Sequence, residues 1–346
     1  MAMSGGVDST VTAALLQSTG AEVRGVFMLL GQPDQAAQVD KVRGLAERLR
    51  ISLEVVDLHE EFAARVISHF RASYFLGETP NPCVVCNRTI KLGLLLDQVL
   101  TRGAEFLATG HYVRLQRDAE GGCHLLRGLD PSKDQSYFLC CLAPEQLRHL
   151  LFPLGDKHKS EVYELAAGLG LEFTPNQESQ DVCFLKGREL GDFLAEAAPP
   201  DLAGPVVTTA GHEVGRHGGI YHFTIGQRRG LGIPAHAPYY VVGLEPEGNR
   251  VVVGSSEKLF RDRLLVPEVN WLAGVPELPT VLAVQIRYRQ RPVTASVTVA
   301  PDGGVEVVFA DPQRAVTPGQ FAVFYRGEEL LGGGVIRLTP DFSAVD

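Results

Sequence analysis

Two kinds of residue in this chain have the types and spacing for chemistry: a set of cysteines and a glycine-rich loop. Cys83 and Cys86 stand in Thr79-Pro80-Asn81-Pro82-Cys83-Val84-Val85-Cys86-Asn87-Arg88, and Cys183 follows far downstream in Ser179-Gln180-Asp181-Val182-Cys183-Phe184. The two prolines predict an extended segment, with a helix beginning near Asn87. Cys86 is then expected at a helix N-terminus, where the dipole lowers a thiol pKa from about 8.5 and raises the thiolate fraction a nucleophile needs. Two other readings stay open on these residues alone. One is a zinc half-site at Cys83 and Cys86, which needs two more ligands; the other is inert buried thiols. Cys123, Cys140 and Cys141 have no such setting and read as core residues or bystanders.

The loop is Ser4-Gly5-Gly6-Val7-Asp8-Ser9-Thr10, opening directly into a helical pattern. Two glycines let the backbone approach an anion closely, and Ser9, Thr10 and the first helical amides are expected to aim donors at it. The helix N-terminus adds roughly half a positive charge. This is not the GxxxxGK[ST] phosphate loop, because the lysine of that motif is missing. A Ser/Asp-capped helix after a glycine turn is the plainer alternative.

These residues need a scaffold, and the first 110 or so residues alternate helix and strand. Helical patterns cover 8–20, 35–50, 60–76 and 87–102, with apolar strand-like runs at 21–30, 53–58 and 105–109. Such alternation predicts a parallel sheet with helices on both faces. A loop of the kind at Ser4 normally follows a buried strand, yet only Met1, Ala2 and Met3 precede it. Three residues span ~10 Å at most, a stub: either the true start codon lies upstream, which is the expectation, or the sheet lacks most of its first strand. Pro199, Pro200, Gly204 and Pro205 mark a boundary, after which short strands dominate. Residues 239–243 and 250–254 read as a hairpin, and 293–299, 305–309, 320–325 and 330–338 as a second β-rich block, a small barrel or sandwich. The expected division is therefore a catalytic domain over 1–200, a small central β-rich domain over 201–262, and a C-terminal β-barrel over 263–346.

With 346 residues, 45% hydrophobic and 21% charged, the chain reads as an ordinary globular protein of two or three domains. No apolar run is long enough to cross a membrane and no signal peptide stands at the start, so a cytoplasmic location is expected. In a reducing cytosol the six cysteines are expected to be free, catalytic or metal-binding rather than a disulfide scaffold. The net charge of −9 argues mildly against a nucleic-acid partner, although a basic face on an acidic body is allowed. Arg228 and Arg229, with Arg287, Arg289 and Arg291, form local basic clusters that suit such a face.

The loop resembles the SGGxDS motif of the PP-loop ATP pyrophosphatases. Taken with it, TPNPCVVCNRTIK (79–91), ATGHYV (108–113), LRGLDPSKDQSYFL (126–139), LFPLGDK (151–157), 179–184, YHFTIGQRRGLGI (221–233), RYRQ (287–290), TPGQ (317–320) and GGGVI (332–336) resemble one family in order. That family is the tRNA-specific 2-thiouridylases, the MnmA/TrmU group, and the likeness covers essentially the whole chain. It implies ATP with Mg²⁺ gripped by Ser4, Gly5, Gly6, Val7, Asp8, Ser9 and Thr10, with Asp8 helping to hold the metal and Met28 and Gly110 lining the adenosine pocket. It implies a persulfide on Cys183 and a second catalytic thiol at Cys86, which end as a disulfide. Asn81, Pro82 and Cys83 are implied to touch the flipped base; His111, Lys133, Asp134, Gln135, Arg287, Tyr288 and Gln320 are implied to contact tRNA at its anticodon stem-loop. A persulfide donor protein or cysteine desulfurase relay is the implied sulfur source. Many members carry Asp where this chain has Cys83, and the three cysteines could instead hold an iron–sulfur cluster. Two competing functions stand beside this one: another PP-loop adenylating enzyme, and a non-catalytic RNA-binding module.

Overall fold

A computed structural model of the chain describes residues 1–32, 34–173, 182–200, 202–233 and 238–338. Ser179, Gln180 and Asp181, which lead into Cys183, lie outside the described residues.

The strand Gly25–Leu29 pairs in parallel with Leu53–Asp57, and Leu107–Ala108 pairs in parallel with Leu150–Leu151. Met1, Ala2 and Met3 lie between these two pairs. Val26 N donates to Met1 O (2.9 Å), Met3 N to Val26 O (2.8 Å) and Ala2 N to Ala108 O (2.9 Å). The stub thus joins the halves of the sheet immediately before the glycine loop. Side chains of a strand alternate between faces, and here Val26 and Leu107 enter one core while Phe27 and Ala108 enter the other. Helices Val7–Ser18, Gln35–Leu49 and Lys159–Gly168 close the second face through Val11, Val42, Leu45 and Val162. The helical runs 59–75 and 82–101 close the first through Phe62, Phe70, Leu92 and Leu95. A parallel sheet covered on both sides is the architecture expected from the alternating pattern.

Each of those two helical runs widens to a π-helix in its middle, at Ala63–Ile67 and Asn87–Leu94. In the second, a Cβ on Gly93 would lie 2.6 Å from Arg88 O, so the wide turn requires glycine there. Carbonyls loosened by such a turn need partners. Gln146 Nε2 supplies them, donating to Arg88 O (3.1 Å) and Leu92 O (2.6 Å).

After residue 200 the chain forms a four-stranded sheet in the order Glu213–His217, Gly204–Thr208, Arg250–Gly254, Tyr240–Glu245, including the expected hairpin. The last part is a larger antiparallel sheet that runs Phe260–Val266, Val305–Arg314, Val293–Val299, Thr280–Gln285, Phe321–Arg326, Glu329–Val335. It does not stop there. Leu330 pairs with Leu125, so the hairpin Val113–Arg117/Cys123–Arg127 from the first part extends this sheet. Tyr137, Leu139 and Leu142 share a core with Phe321, Val323 and Tyr325.

The C-terminal sheet also grips the segment that carries Cys83 and Cys86. Thr79 N donates to Pro318 O (2.8 Å), and Gln320 Nε2 donates to Thr79 O (2.7 Å). Between them Gly319 has φ +85°, and a Cβ there would meet Glu78 Cβ at 2.8 Å and Thr79 N at 2.9 Å. Gly319→Ala should therefore destabilise the protein by about 1–3 kcal/mol through left-handed strain and overpacking. Urea denaturation checks this, and an unchanged midpoint would show that the turn does not press on Thr79.

Candidate active site

The glycine loop ends in a helix whose N-terminal amides no side chain caps; Gly6 is the N-cap and Gly5 has φ +77°. The expected hydroxyl donors are turned elsewhere. Ser9 Oγ donates to Gly6 O (3.0 Å) and Thr10 Oγ1 to the same carbonyl (2.9 Å), while Ser9 Oγ accepts from Ser4 N (3.1 Å). Ser9 and Thr10 therefore brace the turn instead of facing an anion. The uncapped amides of the glycine turn remain available as donors, which is what an anion at a helix N-terminus requires.

Asp8 lies at the second position of that helix. Its carboxylate accepts from Lys159 Nζ at 2.7 and 2.8 Å and from the Tyr112 hydroxyl at 2.7 Å. Gly110 abuts the same turn: a Cβ on it would lie 3.0 Å from Asp8 C and 3.1 Å from Ser9 N. Met28 is half-buried near the end of the strand Gly25–Leu29 and packs against the core on the sheet's first face. Lys159 was not among the residues expected at the site, because nothing local marks a lysine in His158-Lys159-Ser160 as buried. Tyr112 falls inside the ATGHYV motif, which was read only for its neighbours.

The helix carrying the cysteines begins earlier than expected. Pro82–Cys86 is already helical, Pro82 sits in the first turn, and the Asn81 side chain caps the end by accepting from Cys83 N (3.1 Å). Cys83 thus takes the N-terminal position foreseen for Cys86, since proline is favoured as a helix's first residue. Cys86 sits at the join with the π-helix, beyond the reach of the uncompensated amides. Burial pushes its thiol up to about 12, against a partial lowering by Lys91. The expected dipole-lowered thiolate is overturned: desolvation outweighs the favourable charge.

Cys183 begins a short turn, Cys183–Leu185, pinned by Phe184. That ring packs against Phe70 (5.2 Å), Phe193 (5.3 Å) and Phe62 (5.8 Å). Cys183 and Cys83 are both open to solvent, yet the protein around them raises both thiols; at Cys183 a hydrogen bond from Gln32 and the charge of Lys91 oppose the rise. The three thiols lie within electrostatic reach of one another, and Lys91 is the cation common to all three and to His111. All six cysteines carry free thiols, with Cys140 and Cys141 in the core. Among the described residues no three His, Cys, Asp or Glu side chains form a set able to hold a metal ion.

The residues expected at tRNA are mostly engaged within the protein. His111 is buried with its Nδ1 2.7 Å from Thr109 Oγ1, and burial holds its pKa well below the usual histidine value. Asp134 accepts from Gly128 N, Ser136 N and Ser136 Oγ, each at 3.0 Å. Gln135 Oε1 accepts from Tyr112 N (3.1 Å), bracing the ATGHYV turn. Arg287 Nη2 donates to Arg314 O (2.5 Å), and Tyr288 stacks on Phe138 at 4.2 Å between ring centres. Lys133 is half-exposed, whereas Arg228, Arg229, Arg289 and Arg291 are exposed.

An α/β nucleotide-loop domain, distant cysteines facing one lysine and two β-rich domains define the class of protein. Residues 1–187 match the family described as the tRNA methyl transferase HUP domain, 191–255 its PRC-barrel domain, and 261–336 the aminomethyltransferase β-barrel domain. The chain is 45% identical over 339 residues to the tRNA-specific 2-thiouridylase MnmA of Desulfotalea psychrophila, covering 97% of this chain and 98% of that protein. It is 45% identical to the MnmA of Geobacter metallireducens (97% and 95% covered) and 44% identical to that of Magnetococcus marinus (97% and 98%). The chain belongs to the tRNA-specific 2-thiouridylase family.

The desolvated thiols carry a measurable signature. With its pKa raised, Cys86 should alkylate with iodoacetamide at pH 8 about tenfold or more slowly than a free cysteine. Its rate should keep climbing above pH 9, and Lys91→Met should move that climb to still higher pH. Site-resolved mass spectrometry reads it, and a plateau near pH 8 would contradict the burial argument.

Proposed function

We propose that this chain replaces the C2 oxygen of the wobble uridine of tRNA with sulfur, using ATP and a persulfide carried on Cys183. Family membership makes it a tRNA sulfurtransferase; the observation supporting the finer reading is that Cys86 and Cys183, remote in sequence, fall within electrostatic range of each other and of Lys91. Adenylation of the uridine O2 by ATP releases pyrophosphate and turns that oxygen into part of a good leaving group. The terminal sulfur of the Cys183 persulfide attacks C2, a C–S bond forms, and AMP leaves with the oxygen. Cys86 thiolate then attacks Cys183 Sγ. The persulfide S–S bond breaks, its electron pair becomes the C=S of 2-thiouridine, and a Cys86–Cys183 disulfide remains for reduction by two electrons.

Each part of the site has a job in this scheme. The uncapped amides of the first helix would bind the phosphates, with Met28 and Gly110 toward the adenosine. Mg²⁺ bound at Asp8 would neutralise phosphate charge. Lys91 would favour the thiolate and persulfide anions against the desolvation that opposes them. Asn81, Pro82 and Cys83 would meet the base, and exposed Arg228, Arg229, Arg289 and Arg291 would face the tRNA backbone. A protein persulfide donor or desulfurase relay would load Cys183. The family and the absence of a helix long and apolar enough to cross a membrane, among the described residues, agree with a cytoplasmic setting.

The three-cysteine iron–sulfur route is the second reading: Cys83 is within electrostatic range of the other two thiols, although among the described residues the three are not gathered as a metal-binding set. Variants separate the two. In the persulfide route Cys183→Ser and Cys86→Ser should each abolish 2-thiouridine, measured by nucleoside analysis, while Cys83→Ser retains at least about a third of it. Loss of activity and of stoichiometric iron together in Cys83→Ser, after anaerobic purification, would establish the cluster instead.

A further inference from the structure

The glycine loop has no cation of its own: Ser4 to Thr10 contain neither lysine nor arginine. A bound triphosphate brings several negative charges to the amides of one helix, more than a terminal dipole of about half a charge can balance. Two lysines from elsewhere in the chain flank the loop. Lys41 is exposed and runs its stem past Gly5, its Cδ 3.5 Å from where a Cβ on that glycine would lie. Lys159 is buried, and its ammonium contacts both oxygens of Asp8 at 2.7 and 2.8 Å.

Lys159 is placed at some cost. It is the first residue of the helix Lys159–Gly168, where a positive charge opposes the dipole. It is also taken out of water, which penalises an ammonium strongly unless it is paired. Several contacts hold it: the Asp8 carboxylate, the faces of Tyr163 (5.2 Å) and Tyr112 (5.6 Å), and a backbone amide tied to Asp130 Oδ2 (3.1 Å). Tyr112 in turn donates its hydroxyl to Asp8 (2.7 Å). Asp8 is the second residue of the helix whose amides form the anion seat, so the ammonium lies beside any phosphate bound there.

We propose that Lys159 is the phosphate-binding cation of this nucleotide site, supplied from a distant segment because the loop lacks one. With ATP and Mg²⁺ bound, the Asp8 carboxylate would hold the metal and the Lys159 ammonium would turn to phosphate oxygen, so that both charges keep a partner. The Tyr112 hydroxyl holds the carboxylate in place through the exchange. This inference rests on the reading of the loop as an ATP site.

The test is calorimetric binding to the full-length protein, with ATP and with inorganic pyrophosphate, each with Mg²⁺ and in EDTA. Lys159→Met should weaken both ligands about tenfold or more, and Lys159→Arg should restore most of the affinity. Asp8→Asn separates a ligand contact from a purely structural ion pair. In EDTA it should bind pyrophosphate as tightly as the wild type or more tightly, because Lys159 no longer has a carboxylate competing for it. The double variant Asp8→Asn/Lys159→Met leaves no buried charge unpaired, so it keeps the test valid if the single lysine variant folds poorly; it should bind as weakly as Lys159→Met. Pyrophosphate and ATP affinities within twofold of wild type in the lysine variants would overturn the proposal. So would an Asp8→Asn protein in EDTA as impaired as Lys159→Met, since that marks the pair as structural. Wild-type protein that binds neither ligand would instead refute the ATP reading itself.

Discussion

Desolvation of the Cys86 thiol is the constraint around which the site is arranged. A thiol pushed up to about 12 is almost wholly protonated at neutral pH, and a protonated thiol is a poor nucleophile. The same site must still yield a thiolate for attack, while Cys183, the proposed persulfide carrier, stays open to solvent. The structure balances the two demands with one shared cation: Lys91 opposes the rise at Cys83, Cys86 and Cys183 without cancelling it. In the proposed reaction, attack by Cys86 therefore comes late. The electrophile must already be in place before the proton leaves.

Holding that geometry takes elements from all along the chain. Cys86 is fixed by a helix whose π-turn needs Gly93 and Gln146. The segment before it is clamped by Pro318 and Gln320 of the C-terminal sheet. Cys183 is held by the ring of Phe184 among Phe62, Phe70 and Phe193. Because the hairpin Val113–Arg117/Cys123–Arg127 pairs into the C-terminal sheet, movement of that sheet is mechanically linked to the ATGHYV turn beside Asp8.

Much of this was legible in the sequence. The alternation of helix and strand gave the parallel sheet, and Met1 to Met3 bond to both halves of it. The helix starts earlier than the two prolines suggest, because Pro82 is a helix's first residue capped by Asn81. The dipole argument at Cys86 failed with it. Burial was the other blind spot. Neither Lys159 at Asp8 nor Lys91 among the thiols has a local signature, since which lysine a fold buries depends on contacts far apart in sequence. Asp134, Gln135 and Gln320, expected at tRNA, each also hold part of the backbone.

The central claim is that sulfur leaves Cys183 for the tRNA while Cys86 closes on Cys183. A single-turnover reaction tests it most directly: protein loaded with persulfide, ATP and tRNA, without reductant, quenched by acid and mapped by peptide mass spectrometry. The account predicts a Cys86–Cys183 disulfide that appears in step with 2-thiouridine and equals it in amount. Thiouridine formed while both thiols stay reduced would contradict it.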